Sequence, residues 1–590
     1  MTLRRSILSL LIAGACASAF AGTVDLTSLD DATLSPRFIV KYKSGSAERA
    51  QADARQRSLD AAASRARPQM GARIAALQGN ATLRVQSLRA TVGGKHVVKA
   101  TQRLNRTEAE ALMRAIAAEP NVESVAVDRL MHAAALPNDP VLASHQMWHY
   151  GTGAGGARVT TAWDSGASGA GVVVAVIDTG ATHHADLEPN LLPGYDFITD
   201  AFVSRRATDG RVPGGWDTGD YSAANECGTG SPASNSSWHG THVSGTIAEV
   251  TNNSVGGAGI AYNAKVVPVR VLGRCGGYTS DINDAIVWAA GGHIEGIPDN
   301  PNPAEVINMS LGGAHECETD TQTAINTAVG LGATIVVAAG NDNSPVAGHA
   351  PASCANVVTV GATGASGQRA SYSNYGAGVD LAAPGGAGTE GVPGGYIWST
   401  LNNGTTVPGS DIYAGYTGTS MATPHVVGVV ALMQSVAPKP LTPSQVEGLL
   451  KATSRAFPVK QTQVNGVGLL DAAAAVERAR TFGQPIDGLP TTPGVAMVLP
   501  PMGTGERELY AIDVPAGATK IEITTYGGRG ELQLMLGYEA DPLPNMNVGT
   551  SARPGINQAI NVANPAEGHY YLALSATKDT SGARLLVKVN

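Results

Sequence analysis

Five short runs of small and β-branched residues recur through the middle of the chain: VVVAVI (172–177), VVPVRV (266–271), 305–308, TIVVAA (334–339) and 357–360. They are apolar at consecutive rather than alternate positions, which suits strands covered on both faces, as in a parallel sheet. Segments of helical periodicity fall between or after them, near 239–250, 281–291, 320–331, 421–436 and 443–453. Strand and helix in alternation predict an open, doubly wound α/β domain with a mostly parallel sheet. In such a domain sites form where strands end and helices begin.

That pattern occupies 136–481 of the 590 residues, so the chain has room for further domains. From 22 to 135 a strand (38–42), an Ala/Arg/Gln-rich helical stretch (48–67), a helix (107–118) and a strand (122–127) predict a small α+β unit. Residues 482–497 hold Pro and Gly without periodicity and read as a linker. Beyond them, 498–590 carries short alternating strands at 509–514, 520–525, 531–536, 570–574 and 585–589, the pattern of a small all-β sandwich.

Residues 1–21 read as a signal peptide: Arg4 and Arg5, an apolar run from Ile7 to Ala15, and an A-x-A cleavage site at 19–21. No later run of 18 apolar residues follows, so a secreted chain without a membrane anchor is expected. Four cysteines remain after removal of Cys16, an even number that favours two disulfides in an exported chain. Three pairings are open; Cys227–Cys275 and Cys317–Cys354 close the shorter loops and are preferred. Charge is uneven. Residues 22–135 hold 17 Lys/Arg and 11 Asp/Glu, while the whole chain is at −8, so the remainder is strongly acidic. Opposite charge predicts attraction between the two parts. The basic residues are not clustered with aromatics, which argues against nucleic-acid binding.

Four polar residues stand at strand ends or helix starts. Asp178 ends VVVAVI, His239 opens a helix in SSWHGTHVSGTIA, Asn341 follows TIVVAAG, and Ser420 begins the helix of GTSMATPH. Singly, each has an ordinary reading as a turn residue or cap. Together they supply the orienting acid, base, oxyanion donor and nucleophile that acyl transfer needs. The stretches VAVIDTG, HGTHVSGTIA, NMSLGG, VVAAGN and GTSMATPH closely resemble the signature blocks of the subtilisin-like serine proteases, over about 136–481. The order acid, histidine, serine is also theirs.

The resemblance implies that Ser420 attacks the scissile carbonyl, His239 carries the proton, Asp178 orients the ring, and Asn341 with the Ser420 N–H receives the oxyanion. Thr423, His425 and His242 are expected to be structural. Substrate is expected as an extended strand along Ser310, Leu311, Gly312 and Gly313, and Asp342 places negative charge at the rim of the specificity pocket. The glycine-rich stretch 250–257 resembles the family's structural calcium loop. It implies Ca2+ held by Asp139, Asp186, Asn253 and the carbonyls of Val250, Val255 and Gly257. A second acidic cluster, Asp196, Asp200, Asp209, Asp217 and Asp220, is open between a metal loop and a solvated acidic loop, because Arg205, Arg206 and Arg211 interrupt it.

Residues 22–135 match the general pattern of prosegments that aid folding and inhibit, with a cut near Ala135 or Leu136. Residues 498–590 resemble prepeptidase C-terminal domains, notably at NPAEGHYYLAL. The reading is a secreted, calcium-stabilised monomeric serine endopeptidase acting on proteins and peptides. The alternatives are a selective maturation protease and a secreted adhesin with an inert α/β body.

Overall fold

The computed structural model describes residues 22–24, 37–70, 82–91, 94–128, 136–391, 393–482, 489–539, 541–542 and 547–590. The expected leader, Ala135 and part of the linker lie outside these. The chain divides into two compact units, Met1–Ala134 and Ala135–Asn590.

In the first unit a five-stranded sheet has the order Thr23–Val24, Val122–Val127, Arg37–Tyr42, His96–Ala100, Val85–Ala90. Helices Ala52–Ala66 and Arg106–Ala117 supply Leu59, Ala62, Leu112 and Ile116 to one core with Phe38 and Val40. Asn105 and Glu108 form a reciprocal capping box at the start of the second helix. The strands at 85–90 and 96–100 were not legible in the sequence.

The second unit is built on an eight-stranded sheet. Its order is Leu381–Pro384, Val358–Thr363, Thr334–Ala338, Val306–Met309, Val173–Asp178, Lys265–Arg270, Tyr195–Asp196, Val212–Pro213. All neighbours are parallel except the last pair. Successive residues of one strand enter opposite cores: Val174 and Val176 pack on one face, Ala175 and Ile177 on the other. That is why these strands read as continuous apolar runs. Val173–Asp178 lies between Lys265–Arg270 on one side and Val306–Met309 on the other. The chain thus adds strands first to one side of it and then to the other. The strand order reverses at its carboxyl end, the place where an open α/β sheet leaves a crevice.

One helix, Thr419–Val436, is buried along most of its length. Pro424 lies in its interior, its sixth residue, and not in the first turn, where a missing N–H is costless. The Ser420 carbonyl thus loses its helical donor, and the Ser310 hydroxyl supplies one at 2.9 Å. Residues from 489 onward form a sandwich of a five-stranded and a four-stranded sheet around Tyr510, Ile512, Ile523 and Leu572. Leu489–Pro490 pairs with Tyr510 and Ala511, so the end of the expected linker belongs to the sandwich. Among the described residues no helix is long and apolar enough to cross a membrane.

Candidate active site

Asp178 is the last residue of the central strand and is fully buried. A buried carboxylate is costly unless its lone pairs are filled. Here the Thr179 N–H donates to Oδ1 at 2.7 Å, and His239 Nδ1 lies 2.9 Å from each carboxylate oxygen. His239 opens the His239–Ala248 helix after Trp238, which takes a left-handed backbone at φ 50°. The buried Trp238 indole donates to the Gly404 carbonyl at 2.7 Å and fixes that turn.

Two further carboxylates hold the histidine's surroundings. Ser237 donates to Asp220 through its N–H (2.6 Å) and hydroxyl (2.7 Å), and the His239 N–H donates to the Ser237 hydroxyl. The Thr179 hydroxyl donates to Asp217 at 2.6 Å and accepts from the Gly240 N–H. Burial works against a charged His239 ring, but the negative charges of Asp178, Asp220 and Asp217 outweigh it and raise its pKa. Burial also drives Asp217 up to about 7, against the hydrogen bonds from Thr179 and Gly219.

Ser420 is the second residue of its helix, where backbone N–H groups have no helical acceptor and the dipole favours negative charge. Its hydroxyl donates to the Ser310 carbonyl at 3.2 Å. Asn341 stands beside it. The Asn341 Oδ1 accepts from the Thr419 N–H (2.8 Å) and hydroxyl (3.0 Å). A backbone N–H can only donate, so the amide oxygen must face Thr419, and Nδ2 is turned away from it. A Cβ built on Gly418 would stand 3.6 Å from both Asn341 Nδ2 and the Ser420 nitrogen. Glycine there keeps the space between the two donors open. Gly340, at φ 101°, takes a conformation that a side chain resists, and a Cβ there would run into the Asn374 amide.

Ser310 borders both the cavity that holds His239 and the cavity that holds Ser420. Of the expected substrate edge, Leu311 and Gly312 line the second cavity, and their backbone makes no hydrogen bond among the described residues. Gly313 lines it too, with its N–H and carbonyl paired to Ala350. The roles of Thr419 and Ser310 in holding Asn341 and the Ser420 carbonyl had no sequence signal, because they act across 78 and 110 residues.

A family model described as the subtilase family matches residues 169–478, and one for the bacterial pre-peptidase C-terminal domain matches 506–576. An extracellular protease of Xanthomonas campestris pv. campestris is 49 % identical over 99 % of both chains. The chain belongs to the subtilase family. An extracellular basic protease of Dichelobacter nodosus is 43 % identical over 80 % of this chain and 76 % of its own. A solved protease of Pseudoalteromonas arctica superposes with a TM-score of 0.56 at 54 % identity, covering 58 % of this chain and all of that one. The protein is an extracellular subtilisin-like serine protease.

Elsewhere in this subtilase, the glycine-rich loop draws together the residues expected to hold calcium. Asp139 accepts from the Asn252 and Asn253 N–H groups. Asp186 accepts from the Asn253 amide at 2.6 Å and the Tyr413 hydroxyl at 2.9 Å. The carbonyls of Val250, Val255 and Gly257 accept no hydrogen bond from the described residues. Asp186 is buried and close to the buried Glu249, and burial raises both pKa values. Spare carbonyls and two buried carboxylates are the kind of oxygen donors a hard cation takes, while the Asn253 amide turns Nδ2 to Asp186 and its Oδ1 accepts from the Val255 N–H.

The acidic insertion is partly exposed, at Asp209, and partly tied down by its own arginines and backbone. Asp196 is buried and paired with Arg206 and Arg270, the latter at 2.8 Å. Asp200 caps a short helix, and Asp209 accepts from the Ala201 N–H. Among the described residues no three His, Cys, Asp or Glu side chains gather as a metal site. Two disulfides join Cys227 to Cys275 and Cys317 to Cys354.

Proposed function

We propose that this subtilase is a secreted endopeptidase working through Asp178, His239 and Ser420, with Asn341 and the Ser420 N–H as oxyanion donors. The reading rests above all on the contact of His239 Nδ1 with both oxygens of Asp178. With Nδ1–H held by the carboxylate, Nε2 is the ring's basic nitrogen. In the reaction the Ser420 hydroxyl exchanges the Ser310 carbonyl for that nitrogen as its acceptor. His239 then takes the proton as Oγ attacks the carbonyl carbon, and returns it to the leaving amine. Asp178, with Asp217 and Asp220 behind it, stabilises the transient imidazolium. The developing oxyanion lies between Asn341 Nδ2 and the Ser420 N–H, two donors fixed before reaction. Water repeats the sequence on the acyl-enzyme.

Residues 22–135 act as an inhibitory prosegment removed by self-cleavage, 136–481 as the catalytic domain, and 498–590 as a removable sandwich. Acyl-site labelling tests this. Wild-type protein should shed residues 22–135 and take a fluorophosphonate on Ser420. Ser420→Ala, purified alone, should do neither. A pure Ser420→Ala preparation that still matures would rule out self-cleavage, and a label on another residue would rule out the nucleophile.

Asp139, Asp186, Asn253 and the carbonyls of Val250, Val255 and Gly257 would hold calcium. The bound ion would neutralise two buried carboxylates and tie Asp139 to the loop. Stabilisation by a ligand at 100 times its dissociation constant is about 2.7 kcal/mol. Adding a chelator to the inhibited enzyme should therefore lower Tm by several degrees, and Asp186→Asn should abolish the difference. An unchanged Tm in wild type would remove calcium from the account.

A further inference from the structure

No hydrogen bond joins His239 to Ser420 among the described residues: the serine hydroxyl donates to Ser310, and the ring meets Asp178 through Nδ1. The chain around them therefore sets their register. The strand Asp411–Tyr416 runs into the Ser420 helix and pairs antiparallel with Ile397–Asn402. This hairpin lies along the His239–Ala248 helix. The Ser399 hydroxyl donates to the His242 carbonyl at 2.8 Å, and the Thr400 hydroxyl to the Thr241 carbonyl at 2.9 Å. Gly245 permits the approach, since a Cβ there would run into both hydroxyls.

Two side chains cross between the hairpin and the base. His242 is fully buried, one turn along the helix from His239. Its Nε2 lies 3.1 Å from two carbonyl oxygens, Ile397 on the first strand and Ala414 on the second. Carbonyls only accept, so Nε2 carries the hydrogen and shares it between the strands. Burial lowers the ring's pKa to about 3, so it is neutral, and Nδ1 is left buried without a partner among the described residues. An idle buried nitrogen is a cost that packing alone would not require. Tyr416 ends the second strand, just ahead of the nucleophile. Its ring stacks on His242 at 4.8 Å between centroids and 16° between planes. Its hydroxyl donates at 2.8 Å to the carbonyl of Ser237, just ahead of the base. Burial and the charge of Asp220 hold the phenol above the usual tyrosine range, so it stays a donor at alkaline pH. Tyr416 lines neither the cavity that holds His239 nor the one that holds Ser420.

We infer that Tyr416 and His242 are a pair of positioning residues, which tie the strand leading into Ser420 to the turn that presents His239 and so set the distance over which the serine proton is handed on. The inference rests on His239 being the base. General-base transfer needs its two heavy atoms within about 2.6–3.2 Å of each other. A tyrosine has two side-chain torsions, and contacts at both its ring and its hydroxyl leave neither free. The position of the nucleophile's strand is thus passed to the base through one rigid side chain, and His242 holds both strands of the hairpin against the base's own helix.

Tyr416→Phe keeps the stacked ring and removes the tether to Ser237. A misplacement of about 1 Å costs on the order of 10²-fold, and with the ring retained a loss of about tenfold in kcat at unchanged KM is expected. The deciding measurement repeats the substitution in His239→Ala. Residues that act as one unit are non-additive, so Tyr416→Phe should leave the residual kcat of His239→Ala unchanged. General damage to the fold or to the oxyanion donors would lower it further. All forms are released by a foreign protease site engineered ahead of Leu136, because His239→Ala should not mature itself. His242 supplies a second arm, which decides if Tyr416→Phe does not fold. His242→Gln returns an amide N–H to the two carbonyls and should retain most of kcat, whereas His242→Ala should fall as far as Tyr416→Phe. A Tyr416→Phe enzyme with wild-type kcat, or one whose loss persists in full on top of His239→Ala, overturns the inference. So does a rise in KM at constant kcat, which would place the tyrosine against the substrate, and so does a His242→Gln enzyme as impaired as His242→Ala. An undiminished kcat in His239→Ala would instead count against the assignment of the base.

Discussion

Replacing Asp178 with Asn should lower kcat by about 10⁴-fold with KM little changed, the scale of loss measured for the equivalent acid in subtilisin and in a second protease family. The direction follows from the hydrogen bonds. The Thr179 N–H points at Oδ1 and can only donate, so an Asn at 178 must place its oxygen there. Its Nδ2 then faces His239 Nδ1 with hydrogens. The ring responds by presenting Nδ1 as the acceptor, and the proton moves to Nε2. The nitrogen meant to receive the Ser420 proton is now a donor. Asn341→Ala should cost less, because the Ser420 N–H remains as a second oxyanion donor. The loss of one such donor in subtilisin itself costs about 10²–10³-fold in kcat, and the same range is expected here. Neither variant should mature itself efficiently, so each is released by a foreign protease site engineered ahead of Leu136. Both are then assayed on one peptide at alkaline pH. A loss below tenfold for Asp178→Asn would mean that something other than this carboxylate sets the tautomer.

The proposed catalytic residues were legible because each belongs to a short local pattern at a strand end or helix start. Asp178 closes a run of β-branched residues, and Ser420 precedes a long apolar helix. What could not be read are partners whose meaning is set by folding. Pro424 orphans the Ser420 carbonyl, and only the arrival of Ser310 from 110 residues away repairs that. Asp217 and Asp220 read as members of one acidic cluster, open between a metal loop and a solvated loop. Folding carries them under His239, where two hydroxyls and their charge hold the base. Arg270, fully buried, lies in what read as an ordinary strand, and its pairing with Asp196 crosses 74 residues. The pairing of the Gly313 N–H and carbonyl with Ala350 is likewise a long-range contact with no local signal.

The two disulfides should differ in their resistance to reductant far more than in the stability they confer. Their sequence separations are 48 and 37 residues. Chain-closure entropy then assigns each about 4 kcal/mol, and separates them by only a few tenths. Access must decide the order of reduction. Cys227 and Cys275 are both exposed, whereas Cys354 is buried at 8 % exposure and its partner Cys317 is half-buried. Thiol exchange needs a thiolate to reach a sulfur, so mild dithiothreitol should open Cys227–Cys275 first and leave Cys317–Cys354 closed. Differential alkylation and mass spectrometry of the Ser420-blocked enzyme would read the order directly. Calorimetry on Cys227→Ser/Cys275→Ser and Cys317→Ser/Cys354→Ser should give similar falls in Tm, about 5–10 °C each for a catalytic domain of this size. Simultaneous opening of both bonds would show that the surface around Cys354 opens on the timescale of reduction. A much larger fall for one pair would show that native packing around that bond, and not closure of the unfolded chain, carries its contribution.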